Sequence, residues 1–494
     1  MEKENIRLEI KGEGAFSLKK GENVLSVLIG QNLFVDSHCG GHGTCGKCAV
    51  RFTSGAPLPL PGDRRRFSPQ QLREGWRLAC LAKPKQDCAL ELGFTKKDDF
   101  ILDKTLFGRC DKECALGNEP AGADSDGQDM KTMVVADLGS TTIVLQLVES
   151  RTGKIIDTYK TMNPQRKYGA DVITRMEHAL AGKKQELSDL VNDCLEEAVL
   201  GWKQRGYHPE RILLAGNTVM VHLLMGYETE RLAKAPFVPV TTQLCSFEAA
   251  GTDAVTLPGI SAFVGGDITA GIYVCKELMQ KESVQRALLI DLGTNGEMAF
   301  LTPERILCTA TAAGPAFEGG FGSCIYGSDV IAVAADLLEK GIADETGLMA
   351  EPYFTDGYRD GNISVYQEDI RSLQMAKAAV FAGIRILLEK EGMKAGDVQR
   401  VYLAGGFGYK LSVEAACRIG LIPSVWRERT VAVGNTALAG AYIYGKTESD
   451  TSVTSGNNAE EMLQKCESIN LAECDNFNTY YLQAMELKEE RDLS

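Results

Sequence analysis

Ile6-Arg7-Leu8-Glu9-Ile10 alternates apolar and charged side chains, the period-two signature of a half-buried strand, and Lys11-Gly12-Glu13-Gly14 closes it with a turn. Asn23 ahead of Val24-Leu25-Ser26-Val27-Leu28-Ile29 predicts a short helix. Cys48-Ala49-Val50-Arg51-Phe52 reads as a strand leaving a glycine-rich loop over 39–48. Pro57, Pro59, Pro61 and Gly62 mark a loop, and Ser68 with Gln71 three residues on predicts a capped helix reaching Gly75. The pattern then fails over 99–130, which is polar and rich in Gly, Ala and Asp, above all at 117–128, as a linker is. It resumes at Met133-Val134-Val135-Ala136-Asp137, and to about residue 445 apolar strands ending in glycine turns alternate with helical stretches. That alternation is the α/β pattern. Residues 446–459 are polar again, and 460–494 predict a C-terminal helix or helix pair.

One stretch repeats. Val134-Val135-Ala136-Asp137-Leu138-Gly139-Ser140-Thr141-Thr142 is echoed by Leu288-Leu289-Ile290-Asp291-Leu292-Gly293-Thr294-Asn295-Gly296, about 154 residues on. The offset is too long for a solenoid and fits two homologous halves of one domain. The expected organisation is a cysteine-rich domain over 1–98, a linker over 99–130, two halves over 131–284 and 285–445, and a C-terminal tail and helix over 446–494.

Composition changes this picture only in its charge. The 494 residues are 44% hydrophobic and 24% charged, ordinary values for a globular protein. Net charge is −14, which argues against nucleic acid as the main partner. The charge is split: residues 1–98 hold 16 Lys/Arg against 11 Asp/Glu, and the remainder holds 37 against 56. This asymmetry points to domains with different partners. No apolar run is long enough to span a membrane, and the first residues lack the apolar core of a signal peptide, so a cytoplasmic protein without a membrane partner is expected. Fifteen cysteines in such a compartment do not predict disulfides.

Four of those cysteines are grouped as Cys39-x5-Cys45-x2-Cys48-x31-Cys80. A [2Fe–2S] cluster needs four thiolates, and three on one tight loop with a fourth from a distant element can enclose it. The loop glycines allow the turns and the close backbone approach that wrapping demands. A zinc knuckle would present two C-x2-C-like halves, and only one exists here. His38 and His42 have a poor spacing for a Rieske site and read as loop residues facing solvent. Cys88 lies in an alternating strand pattern and is not expected to be a ligand. Cys110 and Cys114 form a local pair in the linker whose role the sequence leaves open, and the other scattered cysteines read as small buried hydrophobes.

The repeated segments carry a second chemistry. Asp137 and Asp291 each stand at a strand end before a tight glycine turn, and exposed N–H groups in such a turn form an anion nest. Two facing nests, Gly139-Ser140-Thr141 and Gly293-Thr294-Asn295, can clamp a triphosphate. The two Asp carboxylates would hold Mg²⁺ or its waters, with Asp267 of Val264-Gly265-Gly266-Asp267 a weaker candidate for the same cluster. Val401-Tyr402-Leu403-Ala404-Gly405-Gly406-Phe407-Gly408 runs an apolar strand into a glycine turn suited to close approach by an adenosine, with Gly405, Gly406 and Phe407 lining it. Neither a Walker A motif nor a G-x-S-x-G elbow is present.

The two Asp-Leu-Gly hairpins and Ala-Gly-Gly-Phe-Gly resemble the phosphate 1, phosphate 2 and adenosine motifs of the acetate-kinase, sugar-kinase, chaperone and actin ATPase superfamily. Joined to an N-terminal [2Fe–2S] domain, they resemble the reductive activators of corrinoid proteins. Further segments are similar to that family: Asn163-Pro164-Gln165-Arg166 with Gly169-Ala170-Asp171-Val172, Gly216-Asn217-Thr218, Ala235-Pro236-Phe237, Leu257-Pro258-Gly259-Ile260, Ala313-Gly314-Pro315-Ala316-Phe317-Glu318-Gly319 and Gly434-Asn435-Thr436-Ala437. The resemblance implies a multi-domain protein, a small α+β ferredoxin-type (β-grasp) domain plus a two-lobed α/β actin-like ATPase. It implies an ATP-dependent one-electron reductase that returns inactive cob(II)alamin to cob(I)alamin on a separate corrinoid protein of a methyltransferase system, with ATP, Mg²⁺ and a [2Fe–2S] cluster as cofactors and a low-potential electron donor. An uphill step of about 200–300 mV costs roughly 5–7 kcal/mol, which explains why an ATPase is attached. The linker and the charge split predict a cluster domain that swings between donor and corrinoid protein while the acidic body grips the latter. Other readings are an ATP-driven electron donor to another low-potential metalloenzyme and an ATP-binding redox-sensing regulator. The methyl donor, the electron donor and the oligomer stay open, a homodimer among the candidates.

Overall fold

The computed structural model describes residues 5–31, 33, 43, 46, 48–92, 130–169, 171–293, 295–314, 316–317, 329–361, 363–408, 411–449 and 459–491. The linker 99–130 therefore lies, except for Met130, outside the described residues, and so do Cys39, Cys45, Cys110, Cys114, His38 and His42.

The N-terminal part is a five-stranded sheet in the order β2-β1-β5-β3-β4. Its strands are β1 (Asn5–Ile10), β2 (Gly14–Lys19), β3 (Ala49–Ser54), β4 (Trp76–Leu78) and β5 (Cys88–Leu92). The alternation in β1 works as expected: Ile6, Leu8 and Ile10 are buried while Arg7 and Glu9 face solvent. The helix Val24–Gly30 is capped by Asn23 and packs on this sheet through Val24 and Leu28. Ser68 and Gln71 form the expected capping box, on the short helix Pro69–Arg73. The region around Pro61, expected as a loop, is instead the helix Pro61–Arg66. Proline suits the first helical position because its missing N–H has no partner there, and Asp63 accepts from Leu60 N at 2.7 Å.

The rest forms two six-stranded sheets that repeat one plan. The first runs β10-β11-β9-β6-β7-β8 and the second β18-β17-β12-β13-β14-β19. In the first, β6 (Thr132–Leu138), β7 (Thr142–Glu149) and β8 (Ile155–Met162) are an antiparallel meander, and β9 (Ile212–Gly216) pairs with β6 in parallel. β10 (Ser246–Ala249) and β11 (Thr252–Thr256) complete it. In the second, β12 (Ala287–Leu292), β13 (Gly296–Leu301) and β14 (Ile306–Thr311) form the matching meander. After the small hairpin β15 (Tyr358–Asp360) and β16 (Ile363–Val365), β17 (Arg400–Ala404) pairs with β12 in parallel, followed by β18 (Thr430–Gly434) and β19 (Cys466–Ser468).

Each central strand is buried on both faces, which is why its sequence is a continuous apolar run. In β6, Val134 and Ala136 join the core under the helix Lys184–Gln204, while Met133 and Val135 face the other way. In β12, Leu288 and Ile290 pack under the long helix Gln367–Lys390, while Ala287 and Leu289 face the other way. The faces turned the other way share one core, filled by the helices Gly266–Glu282 and Thr436–Ser449, which lie against each other. That core joins the two halves.

The C-terminal segment holds two helices, as the pattern predicts, and adds a strand. Between the helices Ala459–Gln464 and Phe477–Gln483 it contributes β19, parallel to β14 at the edge of the second sheet. Ile306 N–Lys465 O and Ile469 N–Cys308 O extend that pairing. A three-residue strand flanked by Lys465 and Ile469 has too little periodicity to be recognised alone. Among the described residues no helix is long and apolar enough to cross a membrane.

Candidate functional site

Two of the four grouped cysteines are described, and they converge. Cys48 enters β3, Cys80 follows β4, and their sulfurs lie 3.2 Å apart, too far for a disulfide and close enough to share one metal centre. Ala79 N donates to Cys48 O at 2.7 Å, locking the two segments in register. Asp63 is buried and accepts from Leu78 N at 2.8 Å, fixing the strand end two residues before Cys80. Gly46, two residues before Cys48, is closely packed: a Cβ there, at φ +72°, would meet the Arg66 side chain at 2.8 Å. These residues fit a [2Fe–2S] cluster. Cys88 points into the sheet core, where burial pushes its thiol up to about 11, the environment of a packing cysteine.

The second site lies between the two sheets. Asp137 is in β6 and Asp291 in β12, each next to the turn of its hairpin. The turn Gly139-Ser140-Thr141 is braced from below: Asn163 Nδ2 donates to Gly139 O at 2.8 Å, and the fully buried Arg175 donates to Ser140 O and Gly169 O. Gly293 N donates to Asn295 O at 3.0 Å in the opposite turn; Thr294 lies outside the described residues. β17 delivers Gly405, Gly406 and Phe407 beside Asp291, since Asp291 and Ala404 are parallel partners. Gly405 has φ +80°, and a Cβ there would collide with the Asp291 carboxylate. The Phe407 side chain lies outside the described residues. Asp267 stands in the first turn of the helix Gly266–Glu282 and accepts from Ile268 N at 2.9 Å.

Electrostatics show that these carboxylates share one space. Burial pushes Asp137 up to about 7, with Asp267 adding to the rise and the Asn435 hydrogen bond opposing it. Asp267 is pushed up to about 6 by burial, against the pull of its backbone N–H donors. Glu297 is held well above its ordinary value, first by burial and then by Asp267, Asp291 and Asp137 together. Such a concentration of anionic groups is costly alone and suited to a cation. Among the described residues no three His, Cys, Asp or Glu side chains are arranged to hold a metal by themselves.

Three residues to which the motifs gave no site role join it here. Glu297 lies directly across from Asp291 in the hairpin register. Asn217 and Asn435 each cap a helix and reach across the cleft: Asn217 Nδ2 donates to Glu297 Oε1 at 2.9 Å, and Asn435 Nδ2 to Asp137 Oδ2 at 2.7 Å. The signal was present as a Gly-Asn-Thr triplet that occurs twice, at 216–218 and 434–436. It is hard to recognise because the triplets follow β9 and β18, strands at different positions in their sheets.

Fold and cleft together define an actin-like, two-lobed ATPase joined to a ferredoxin-type domain. Residues 8–85 match the 2Fe-2S iron-sulfur cluster binding domain, 133–281 the RACo middle region, and 285–324 with 322–493 the C-terminal domain of RACo, the ASKHA domain. The chain belongs to the reductive activators of corrinoid proteins. A solved structure described as a reductive activator for corrinoid, iron-sulfur protein superposes with a TM-score of 0.61 at 22% identity, covering 98% of both chains. The corrinoid activation enzyme RamQ of Eubacterium limosum is 26% identical over 385 residues, 63% of each chain, so the match spans a little under two thirds of that relative. A component of the Na⁺-translocating NADH-quinone reductase of Pseudomonas aeruginosa is 30% identical over 116 residues, 24% of this chain and 26% of that one.

Proposed function

We propose that this protein is an ATP-dependent reductase that delivers one electron to the cobalt of a separate corrinoid protein, converting inactive cob(II)alamin to cob(I)alamin in a methyltransferase system. The observation that carries this is the joining, in one chain, of converging cluster-type cysteines to a two-lobed cleft whose anionic floor spans both lobes. Cys39, Cys45, Cys48 and Cys80 hold the [2Fe–2S] cluster, which supplies reversible one-electron storage. The electron comes from a low-potential donor and leaves to cobalt; no proton or group is transferred with it.

In the cleft, the turns Gly139-Ser140-Thr141 and Gly293-Thr294-Asn295 take the phosphates. Asp137 and Asp291 hold Mg²⁺ or its waters and orient the attacking water, and Asp267 supports them. Gly405, Gly406 and Phe407 take the adenosine side. Hydrolysis of the terminal phosphoanhydride bond by water yields ADP and phosphate. Asn217 and Asn435 tie each lobe to a carboxylate of the other, so a cation that arrives with the nucleotide and offsets the charge of Asp137 and Glu297 alters both ties. Nucleotide binding can then favour one lobe arrangement through its differential affinity for two states. The reading places the protein in the cytoplasm.

The test mixes the reduced, anaerobic protein with a cob(II)alamin-loaded corrinoid protein and follows the visible spectrum. Cob(I)alamin should accumulate with MgATP and not without it. ATP binding with no cobalt reduction would favour a redox-sensing regulator instead.

A further inference from the structure

Three consecutive arginines end the helix Pro61–Arg66, and their environments differ: Arg64 and Arg65 are exposed, while Arg66 is buried. Its guanidinium reaches the helix Gln367–Lys390 of the second lobe. Arg66 Nη1 lies 3.2 Å from Asp369 Oδ1 and 3.4 Å from Oδ2, and both side chains are almost wholly buried, at 7% and 2% exposure. Glu368 is 4.0 Å away, and the Tyr366 ring centroid is 5.6 Å from the guanidinium carbon.

Both ends of this contact are anchored to chemistry. On one side, the aliphatic stem of Arg66 fills the space beside Gly46, between the cluster-loop positions 45 and 48. The same short helix holds Asp63, which fixes Leu78 ahead of Cys80. On the other side, Asp369 closes the first turn of the helix Gln367–Lys390 by accepting from Tyr366 N at 2.8 Å. About 16 Å further along that helix, Val380 packs against Gly296, and Gly383 against Met298, in the strand that leaves the second phosphate turn. One helix thus touches both the cluster loop's support and the back of the nucleotide hairpin.

A buried ion pair contributes little net stability compared with apolar packing, but it specifies one geometry, because either charge alone would be stranded. We propose that Arg66 is a positioning residue for electron delivery: its pairing with Asp369 docks the cluster domain on the second lobe and sets the electrostatic surroundings of the cluster. The inference rests on the cluster reading and not on the corrinoid partner, and its measurements need neither nucleotide nor corrinoid protein.

Asp369→Asn in the full chain keeps the side-chain acceptor that caps the helix and removes only the charge. Because reduction adds negative charge to the cluster, loss of a nearby anion should raise its midpoint potential in an EPR-monitored redox titration. The radius of gyration in solution scattering should also increase as the domain leaves the lobe. Arg66→Met keeps the stem against Gly46 and should give the same expansion; in its background, Asp369→Asn should shift the potential no further. An Asp369→Asn protein with the parental potential and dimensions overturns the proposal, as does an equal shift of potential in both backgrounds. Should Asp369→Asn fail to fold, parental dimensions of Arg66→Met are sufficient to reject it.

Discussion

Asp137 has its carboxyl raised to about 7 in the nucleotide-free protein, chiefly by burial. The raised group favours folding while it is protonated: its contribution is fully present below the ordinary value of 3.8 and is lost as pH rises through about 7. Without nucleotide the protein should therefore lose thermal stability as pH rises from about 4 to about 7. Asp137→Asn should match the parent near pH 4 and melt a few degrees higher at pH 8, read by differential scanning fluorimetry without nucleotide. A parental melting profile at both pH values would show that Asp137 is not the titrating group. At the other site, Cys80→Ser should abolish or alter the visible and EPR spectrum of the cluster, while Cys88→Ser leaves it intact. The difference is one of placement: Cys80 faces Cys48 at 3.2 Å, while Cys88 is committed to the sheet core.

At the scale of elements, the C-terminal segment works as a strap on the second lobe. Lys377 is buried in the middle of the helix Gln367–Lys390 and donates to Ala484 O at 2.7 Å and to Glu486 O. Burial lowers its ammonium to about 8, so it relies on those carbonyls. Gln374 donates to Met485 O at 2.7 Å, and Ser424 N to Glu490 O at 2.8 Å. A chain ending at residue 458 would strip these carbonyls from Lys377 and would also remove β19. Its urea midpoint should fall well below that of the full chain, and adding Lys377→Met to the shortened chain should recover part of the loss. If Lys377→Met recovers nothing, the strap holds through β19 alone.

For the whole molecule, the common core between the sheets makes the two lobes one body, and the Arg66–Asp369 contact adds the cluster domain to it. The amino-acid pattern leads instead to a cluster domain in motion on a flexible tether, an expectation that rests on residues 99–130. A docked domain is compatible with movement when the contact can be broken, and the Asp369→Asn measurement decides how much the Arg66–Asp369 pair holds. The charge split has a related reading: the locally basic domain offers its third arginine to an acidic helix start at Glu368 and Asp369.

By itself the sequence determined what depends on short-range regularities. The β1 alternation, the Ser68 capping box and the paired Asp-Leu-Gly hairpins are local patterns, since strand period, cap geometry and turn chemistry act over a few residues. Tertiary structure alone decided what depends on residues 80 to 303 positions apart. The bonds of Asn217 to Glu297 and Asn435 to Asp137 bridge 80 and 298 positions, and Arg66 meets Asp369 across 303. The same holds for β19, too short to show a period and held by the edge of β14. Such contacts leave no periodicity in the chain, because a polar residue in a loop or at a helix cap looks the same whether it faces water or a carboxylate of the opposite lobe.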